Sequence, residues 1–539
     1  MAPIKSLLPF LLLASCQATP VVVDAANGTN ATTLPVVDLG YEIYRAAAYD
    51  SPVTNRATVN NGDMGRMCPQ ADAPWVATSA IAWLYPYLAS GAIPNASYTA
   101  ELTAPDLNYT VPQDRDPREN EDCLFLDVYV PRNTFQQRQQ CASGTPVVVY
   151  IHGGGYVNGH KGTVDPTVSL HETADGEGVI YVAMNYRLGA FGFLGGSAFS
   201  GSNDSTVANA ALYDQRRALE WVQENIHYFG GDKDRVTVMG GSAGAGTLMQ
   251  QVIAFGGRAK SPFQQVIPQS PGLAPAPTNS QVESTYNGFL TAANVSSLAQ
   301  LRALPTEKLI YANALQIGHS VYGSFTYVPV IDGTFVTEDV KSAFAHGRLD
   351  KFLRVMAAHN TNEALGLTPP TISNDSYRSV VTEYASVANS SQIDHIVNDL
   401  YPPTYGNSSD YKDIIMRGAV TLTEATFSCN TYGLARAVKE SYGYVFGVYP
   451  GTHSSDTPYI FFDENTSTVN STLGFGMQDY ILSFVVDGVP KPLLAAAPSM
   501  DLYGNGGSVV YFGDNGMQKS VDSAWAGGRC DWWLNNLYN

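Results

Sequence analysis

The chain has 539 residues, of which 45% are hydrophobic and 14% charged, and its formal net charge at pH 7 is -18. This composition excludes an intrinsically disordered chain, and no uninterrupted apolar run is long enough to predict a membrane-spanning helix. An acidic surface repels phosphate backbones, so we expect no nucleic-acid partner. No linker or internal repeat divides the sequence, and we therefore predict one domain over residues 19–539.

The N-terminus has the pattern of a secretory signal peptide. Lys5 is followed by an apolar run over residues 7–14 and by small residues at 16–18, which predicts cleavage after residue 18 and export. The C-terminus carries no hydrophobic tail, so we expect secretion without a transmembrane anchor. Export agrees with many candidate glycosylation sequons: Asn27, Asn30, Asn95, Asn108, Asn203, Asn294, Asn374, Asn389, Asn407, Asn465 and Asn470.

The cysteines are consistent with an oxidising compartment. Removal of the signal peptide leaves five of them, namely Cys68, Cys123, Cys141, Cys429 and Cys530. The simplest arrangement is two disulfides and one unpaired thiol, but spacing alone leaves the pairing open. No Cys-x-x-Cys or His/Cys cluster indicates a metal site, and we predict neither a metal nor a cofactor.

Short apolar runs alternate with helical patterns along the chain. Strands are predicted at 34–39, 124–130, 146–151, 179–185, 236–239, 263–268, 352–358, 444–448 and, as the last, 508–512. Helices are predicted at 210–225 and 243–255, with a short one at 81–88. Continuous apolar strands that alternate with helices are typical of a mostly parallel sheet covered on both faces, so we predict an α/β fold.

The run Val-Thr-Val-Met-Gly-Gly-Ser-Ala-Gly-Ala-Gly at 236–246 places Ser242 in a Gly-x-Ser-x-Gly motif. The motif lies between a predicted strand and a predicted helix, which is where a nucleophilic serine is presented on a sharp turn. Gly240 and Gly244 fit such a turn because it leaves no room for neighbouring side chains. Glycine and serine are abundant here, so the motif alone is weak evidence and its partners must be sought.

A serine hydroxyl needs a base to remove its proton, and histidine is the usual base at neutral pH. In hydrolases with this turn, the acid and then the histidine follow the serine along the chain. The candidates are His319, His346, His359, His395 and His453. His453 is favoured because it lies just past a predicted strand end, where sheet proteins of this class collect functional residues.

The acid should precede that histidine and lie near another strand end. Glu363 meets both conditions, because it ends a polar turn that follows the strand predicted at 352–358. Two other carboxylates compete with it. Asp332 precedes a glycine and is more typical of a tight turn. Asp456 follows His453 and so breaks the expected order.

Two longer stretches resemble a known family. Residues 121–131 (Glu-Asp-Cys-Leu-Phe-Leu-Asp-Val-Tyr-Val-Pro) and 229–244 (Phe-Gly-Gly-Asp-Lys-Asp-Arg-Val-Thr-Val-Met-Gly-Gly-Ser-Ala-Gly) resemble the two signatures of the type-B carboxylesterase/lipase family. Residues 185–193 and 212–215, and the glycine triplet after His152, resemble further blocks in the family's order. Cys-Pro-Gln-Ala at 68–71 with Trp75 is similar to secreted fungal members. The resemblance covers the chain from about residue 35 to its C-terminus.

The resemblance implies an α/β-hydrolase fold, a central mostly parallel sheet flanked by helices and carrying large loop and helical insertions. It assigns a catalytic triad, with Ser242 as nucleophile, Glu363 as acid and His453 as base. It implies an oxyanion hole formed by the backbone N–H groups of Gly154, Gly155 and Ala243. It also implies disulfides that pair Cys68 with Cys123 and Cys429 with Cys530, which leaves Cys141 unpaired.

Two departures from the family's sequence pattern limit the substrates that the resemblance implies. Gly241 replaces the glutamate that usually precedes the nucleophile, and Ala364 replaces the glycine after the acid, so cholinesterase-like activity is not expected.

The segment 68–123 corresponds to the region that holds the lid in the lipase branch. Its aromatic residues support either a lid or a packed loop with aromatic plugs, and we hypothesise that a lid over the acyl pocket carries Trp75, Trp83, Tyr85 and Leu88.

These observations predict a secreted serine hydrolase that cleaves carboxylic esters through an acyl-enzyme on Ser242. Its partner would be a small-molecule or lipid ester. One alternative is a lipase or sterol esterase that acts on long-chain esters during transient contact with a lipid interface. A less favoured alternative is a non-catalytic adhesion or binding protein on the same fold, which the neuroligin branch of the family resembles.

Overall fold

The computed structural model describes residues 36–38, 43–45, 59–60, 65–79, 83–91, 109–138, 144–164, 166, 178–199, 206–406, 409–463 and 469–537. The predicted signal peptide and Cys141 lie outside these residues, as do the sequons at Asn27, Asn30, Asn95, Asn108, Asn203, Asn407 and Asn465. The other four predicted sequons begin at exposed residues, namely Asn294, Asn374, Asn389 and Asn470.

The described strands form two sheets. A small sheet contains β1 (Val36–Asp38), β2 (Ile43–Arg45) and β3 (Val59–Asn60). The large sheet has nine strands in the order β12-β11-β10-β9-β8-β7-β5-β6-β4. Its strands are β4 (Leu126–Tyr129), β5 (Thr145–Ile151), β6 (Ile180–Met184), β7 (Gly231–Gly241), β8 (Gln265–Gln269), β9 (Arg354–Asn360), β10 (Glu440–Phe446), β11 (Ser508–Gly513) and β12 (Gly516–Val521).

The strands from β6 to β11 run parallel, whereas β4 and β12 pair antiparallel at the two edges. Successive residues of β5 pack into different core clusters: Val147 and Val149 on one face, Val148 and Tyr150 on the other. Both faces of the sheet are therefore buried, which explains why its central strands are continuously apolar. The predicted α/β fold with a mostly parallel sheet is confirmed.

Helices cover both faces of this sheet and fill its insertions. The α-helices are α1 (Pro74–Ser79), α2 (Tyr85–Ser90), α3 (Arg132–Gln137), α4 (Gly189–Phe193), α5 (Ala210–Asn225), α6 (Ala243–Val252), α7 (Asn279–Ala292), α8 (Leu298–Arg302), α9 (Thr306–Gly318), α10 (Val340–Ala345), α11 (Asn374–Tyr384), α12 (Ser390–His395), α13 (Ile414–Thr423), α14 (Cys429–Ala437), α15 (Thr457–Ile460), α16 (Ser471–Asp487), α17 (Ser523–Ala526) and α18 (Arg529–Asn535). A π-helical segment, Glu424–Ser428, joins α13 to α14. Within the described part of the chain, no helix is long and apolar enough to cross a membrane.

Three details differ from the sequence predictions. The strand predicted as the last is followed by β12, an edge strand whose polar centre, Gln-Lys-Ser at 518–520, interrupts the apolar signal used for strand prediction. The strand predicted at 34–39 is β1 of the small sheet and does not contribute to the large, mostly parallel one. The helix predicted to reach Phe255 ends as α6 at Val252 and continues as a short 3-10 turn.

Two disulfides connect distant parts of the chain. Cys68 is bonded to Cys123 and Cys429 to Cys530, in the pairs that the family resemblance implied. The first closes a segment of 55 residues that precedes β4. The second joins α14 to the C-terminal helix α18 across 101 residues.

Candidate active site

Ser242 lies on the sharp turn between β7 and α6. Its φ of 56° is in the region that side chains rarely adopt, and such strain is characteristic of functional sites. The surrounding glycines make the turn possible. A Cβ on Gly244 would lie 2.1 Å from the Ile151 carbonyl oxygen, and one on Gly240 would lie 2.9 Å from the carbonyl carbon of Gly244. The Gly-x-Ser-x-Gly pattern is therefore required by packing.

The three predicted triad residues are adjacent. The Ser242 hydroxyl donates to Nε2 of His453 over 2.7 Å, and Nδ1 of His453 donates to Oε2 of Glu363 over 2.6 Å. The other oxygen of Glu363 accepts the Asn360 N–H over 2.6 Å. Glu363 is fully buried, and each of its two oxygens accepts a hydrogen bond from a protein donor. This arrangement can transfer a proton from serine to histidine while the carboxylate fixes the imidazole tautomer.

The sheet explains why residues so distant in sequence meet. Ser242 follows β7, Glu363 follows β9, and His453 follows β10, and these strands run in the same direction. The carboxyl ends of parallel strands lie at one edge of a sheet, so the loops after them converge there. Phe427, from the π-helical segment, packs against the His453 ring with a centroid distance of 4.8 Å.

The competing candidates have other surroundings. Asp332 accepts the backbone N–H groups of Thr334 and Val336, as expected for a turn carboxylate. The remaining candidate histidines contact groups other than Ser242: His319 packs against Tyr109, His346 caps α10, His395 pairs with Asp399, and His359 pairs with Asp522.

Two of the three predicted oxyanion donors lie beside the serine. Gly155 and Ala243 line the same cavity as Ser242. Gly154 has a φ of 111° and Gly155 a φ of 58°, so their backbone conformations favour glycine. His152, which begins this loop two residues before Gly154, is buried and stacks on Tyr186 with a centroid distance of 4.4 Å. Burial lowers the pKa of His152 to about 4, so its neutral imidazole supports this loop without adding charge.

We expect Gly155→Ala to lower kcat by about 10² to 10³-fold, the typical effect of losing one oxyanion donor. A Cβ at this position would lie 2.0 Å from the Phe325 ring, so either the loop or the cavity wall must move. Steady-state kinetics with a p-nitrophenyl ester measures the effect. Gly333→Ala is the matched control, since Gly333 also has a positive φ of 72° but no atom within 4 Å of the added Cβ. Equal losses in the two variants would contradict the prediction.

A cavity of about 250 Å³ opens beside Ser242. Its walls are mostly apolar and come from eight separate parts of the chain, a grouping that the sequence did not reveal. They include Tyr156, Ala274, Pro275, Pro277, Phe325, Val328, Leu367 and Phe427, with Gln281 and Glu383 as polar positions.

The four residues predicted to line this pocket from a lid lie elsewhere, although all four are among the described residues. Trp83 is fully buried and donates its indole N–H to Tyr322, and Trp75 packs against Phe325 behind the cavity wall. Tyr85 is 62% exposed, and Leu88 lines a different cavity. None of the four side chains lines this cavity and the two tryptophans pack as aromatic plugs, so a lid over the acyl pocket stays a prediction. Part of the segment lies outside the described residues.

Gly241, which replaces the family glutamate, borders a buried tyrosine. A Cβ at Gly241 would meet only the Tyr150 hydroxyl, at 3.3 Å. The buried carboxylate near this corner is instead Asp456, whose charge, together with burial, raises the pKa of Tyr150. Asp456 accepts the Tyr444 hydroxyl over 2.9 Å. Its position three residues after His453 was the signal available in the sequence for a second carboxylate near the triad.

We expect Asp456→Asn to remove a pH-dependent loss of stability. Burial, with a further contribution from Glu363, raises the pKa of Asp456 to about 6. Because the folded pKa exceeds the unfolded value, the unfolding free energy of the unmodified protein falls as pH rises from about 4 through about 6. At about 1.4 kcal/mol per unit, the loss reaches about 3 kcal/mol.

Urea unfolding at several pH values measures this contribution as the difference between the variant and the unmodified protein. Tyr444→Phe, which removes the hydroxyl that donates to Asp456 but keeps the carboxylate, is the control and should retain the loss of unfolding free energy with rising pH. A difference that stays constant between about pH 4 and pH 7 would refute the assignment.

Comparison with known proteins places this geometry in a family. A family model described as "Carboxylesterase family" matches residues 55–520. The chain is 34% identical over 546 residues to "Carboxylesterase patB" of Penicillium expansum, covering 93% of this chain and 96% of that protein. It is 28% identical over 473 residues to a "Secreted lipase" of Arthroderma benhamiae, covering 86% and 83% of the two chains.

Solved structures support the fold. The structure of Aspergillus niger EstA superposes with a TM-score of 0.72 at 22% identity and covers 93% of this chain and 98% of that one. A pNB esterase structure superposes with a TM-score of 0.66 at 21% identity, covering 93% and 99%. The chain therefore belongs to the carboxylesterase family and is a carboxylic ester hydrolase with the α/β-hydrolase fold.

Proposed function

We propose that this carboxylic ester hydrolase works as a serine esterase, with Ser242 as nucleophile, His453 as base and Glu363 as acid. The continuous hydrogen-bond chain from the Ser242 hydroxyl through His453 to Glu363, with lengths of 2.7 and 2.6 Å, carries the proposal. A serine held against a histidine that a buried carboxylate orients has the geometry required for nucleophilic catalysis.

The proposed reaction has two steps. The Ser242 oxygen attacks the ester carbonyl carbon while its proton passes to His453, which then protonates the leaving alcohol. Water activated by His453 next attacks the acyl carbon, and the carboxylic acid leaves as Ser242 regains its proton. In both steps, the N–H groups of Gly154, Gly155 and Ala243 stabilise the negative charge that develops on the carbonyl oxygen.

The cavity supports small, mostly apolar esters as substrates. Its volume of about 250 Å³ is below the range of about 300 to 1,000 Å³ that is typical of pockets for drug-sized ligands. Phe325 and Phe427 contribute aromatic walls, which favour apolar groups. We therefore propose that acetyl and butyryl esters are turned over faster than long-chain esters.

The second candidate is a lipase, which the similarity to a secreted lipase supports. A panel of p-nitrophenyl esters from acetate to palmitate, measured with and without lipid emulsion, separates the candidates. For an esterase, we expect kcat/KM to fall with acyl length and to stay unchanged when the lipid emulsion is added. An increase with acyl length, or activation by the emulsion, would replace the esterase proposal with the lipase one. Failure of a fluorophosphonate probe to label Ser242 would refute both.

Secretion forms part of the proposal. Two disulfides are typical of proteins from oxidising compartments, and one relative is named a secreted lipase. The signal-peptide pattern at residues 1–18 supports the same conclusion. Mass spectrometry of the protein from culture medium tests it, because cleavage would place the mature N-terminus after residue 18. An intact Met1 on an intracellular protein would be the opposing result.

A further inference from the structure

A buried histidine that the proposed reaction does not use lies close to the catalytic acid. His359 is in β9, four residues before Glu363, and is 3% exposed. Its Nδ1 lies 3.0 Å from the carbonyl oxygen of Asn360, and its Nε2 lies 3.1 Å from Oδ1 of Asp522. A carbonyl oxygen and an ionised carboxylate can only accept hydrogen bonds. Both ring nitrogens must therefore carry hydrogen, which makes His359 an imidazolium.

The electrostatic surroundings support the charged form. Burial opposes the charge, but the Asp522 carboxylate outweighs burial and raises the pKa of His359 to about 9, with a smaller contribution from Glu363. In turn, His359 outweighs burial and lowers the pKa of Asp522. The two residues form a buried ion pair, and the positive charge of His359 is close enough to interact with the catalytic acid Glu363.

Asp522, the acidic member of this pair, is held in place by further hydrogen bonds. It is 2% exposed and accepts the Tyr503 hydroxyl and the Ala524 N–H, each over 2.8 Å. The second of these bonds caps the N-terminus of α17. Three donors thus fix the carboxylate, and His359 is attached through it to the C-terminal part of the chain.

Asn360 transmits the position of His359 to the triad. Its N–H donates to Oε1 of Glu363 over 2.6 Å, and its side-chain amide donates to the Thr452 carbonyl over 2.8 Å. Thr452 directly precedes His453. Asn360, whose carbonyl accepts a hydrogen bond from His359, therefore contacts both the acid and the segment that carries the base.

We propose that His359 is a positioning residue for the triad: paired with Asp522, it holds Asn360 against Glu363 and places a positive charge near the triad. The inference rests on the proposed roles of Ser242, Glu363 and His453. It adds a buried ion pair that links the C-terminal segment to the acid.

The test uses His359→Gln, which removes the charge and one N–H, and the double variant His359→Gln with Asp522→Asn. The double variant leaves no unpaired buried charge, and the introduced asparagine side chain can still cap α17. We expect kcat to fall about 10 to 100-fold in both, as for a displaced catalytic group, with KM for p-nitrophenyl acetate unchanged. We also expect the acid limb of the kcat/KM profile to move to higher pH, because removing a nearby positive charge favours the protonated, inactive base.

The controls separate catalysis from folding. His395→Gln removes a surface histidine–aspartate pair and should change neither kcat nor the pH profile. A folded double variant with unchanged kcat and pH profile would overturn the proposal and leave His359 with a structural role only. That outcome differs from failure of the proposed function, in which Ser242→Ala would itself retain activity.

One readout does not require any variant to fold. In the unmodified enzyme, loss of the His359 proton breaks the ion pair with Asp522, so we expect kcat to decline through about pH 9 while circular dichroism stays constant. A kcat that stays constant, after subtraction of spontaneous ester hydrolysis, at pH values where the NMR signals of His359 show that it has lost its proton would overturn the proposal.

Discussion

Ser242→Ala is expected to lower kcat for p-nitrophenyl acetate by about 10⁴-fold or more, because no acyl-enzyme can form without the hydroxyl. The remaining rate would come from the oxyanion donors and substrate binding. The fold should persist, since the change removes one atom and leaves the surrounding turn bonds in place, such as that from the Ser242 N–H to the Gln269 carbonyl over 3.0 Å. Spectrophotometric kinetics and thermal unfolding measure the two effects.

The matched control is Ser284→Ala, at an exposed position of α7. It should retain full activity and remain reactive with a fluorophosphonate, whereas Ser242→Ala should lose that reactivity. If Ser242→Ala kept more than a tenth of the activity, another residue would have to act as the nucleophile.

Glu363→Gln is expected to lower kcat by about 10⁴-fold, as loss of the triad acid does in other serine hydrolases. A glutamine can still accept the Asn360 N–H, but its NH₂ group would face Nδ1 of His453. That nitrogen must then accept, so the ring proton moves to Nε2, which can no longer take the proton of Ser242. The structure should be retained while the imidazole adopts the inactive tautomer.

The comparison for this variant is Glu440→Gln, which removes an exposed carboxylate paired with Arg354. We expect its kcat to stay within about twofold of the unmodified enzyme, since exposed ion pairs contribute little. Single-turnover measurements separate acylation from deacylation, and both steps should slow in Glu363→Gln. A loss of less than about tenfold would show that Glu363 does not orient the base.

The central strands and the order of the triad could be predicted because their signals are local. Buried parallel strands are continuously apolar, and Gly240 and Gly244 around Ser242 are needed for one tight turn. Glu363 and His453 then follow from their positions after strand ends. No such local signal marks the walls of the cavity. Phe427 lies in a π-helical segment and Phe325 in a loop, and only tertiary packing brings them together.

The polarity of the side chains limited the predictions for β12 and for Trp83. The strand β12 lies at the sheet edge and buries none of its residues, so its sequence lacks an apolar run. For Trp83 the apolar signal was present but ambiguous, because large aromatic rings occur both in lids and in packed cores. The role of Asp456 was missed for a third reason, because chain order correctly removed it as the triad acid but says nothing about a neighbouring charge.

The Cys429–Cys530 disulfide also has a consequence for assembly of the active site. His453 lies inside the loop that this bond closes, whereas Ser242 and Glu363 lie outside it. Closing a loop of this length removes about 5 kcal/mol of conformational entropy from the unfolded chain. The segment that carries the base therefore has fewer unfolded conformations available, so the bond stabilises the folded loop around His453. An oxidising compartment thus stabilises the part of the active site that holds the base.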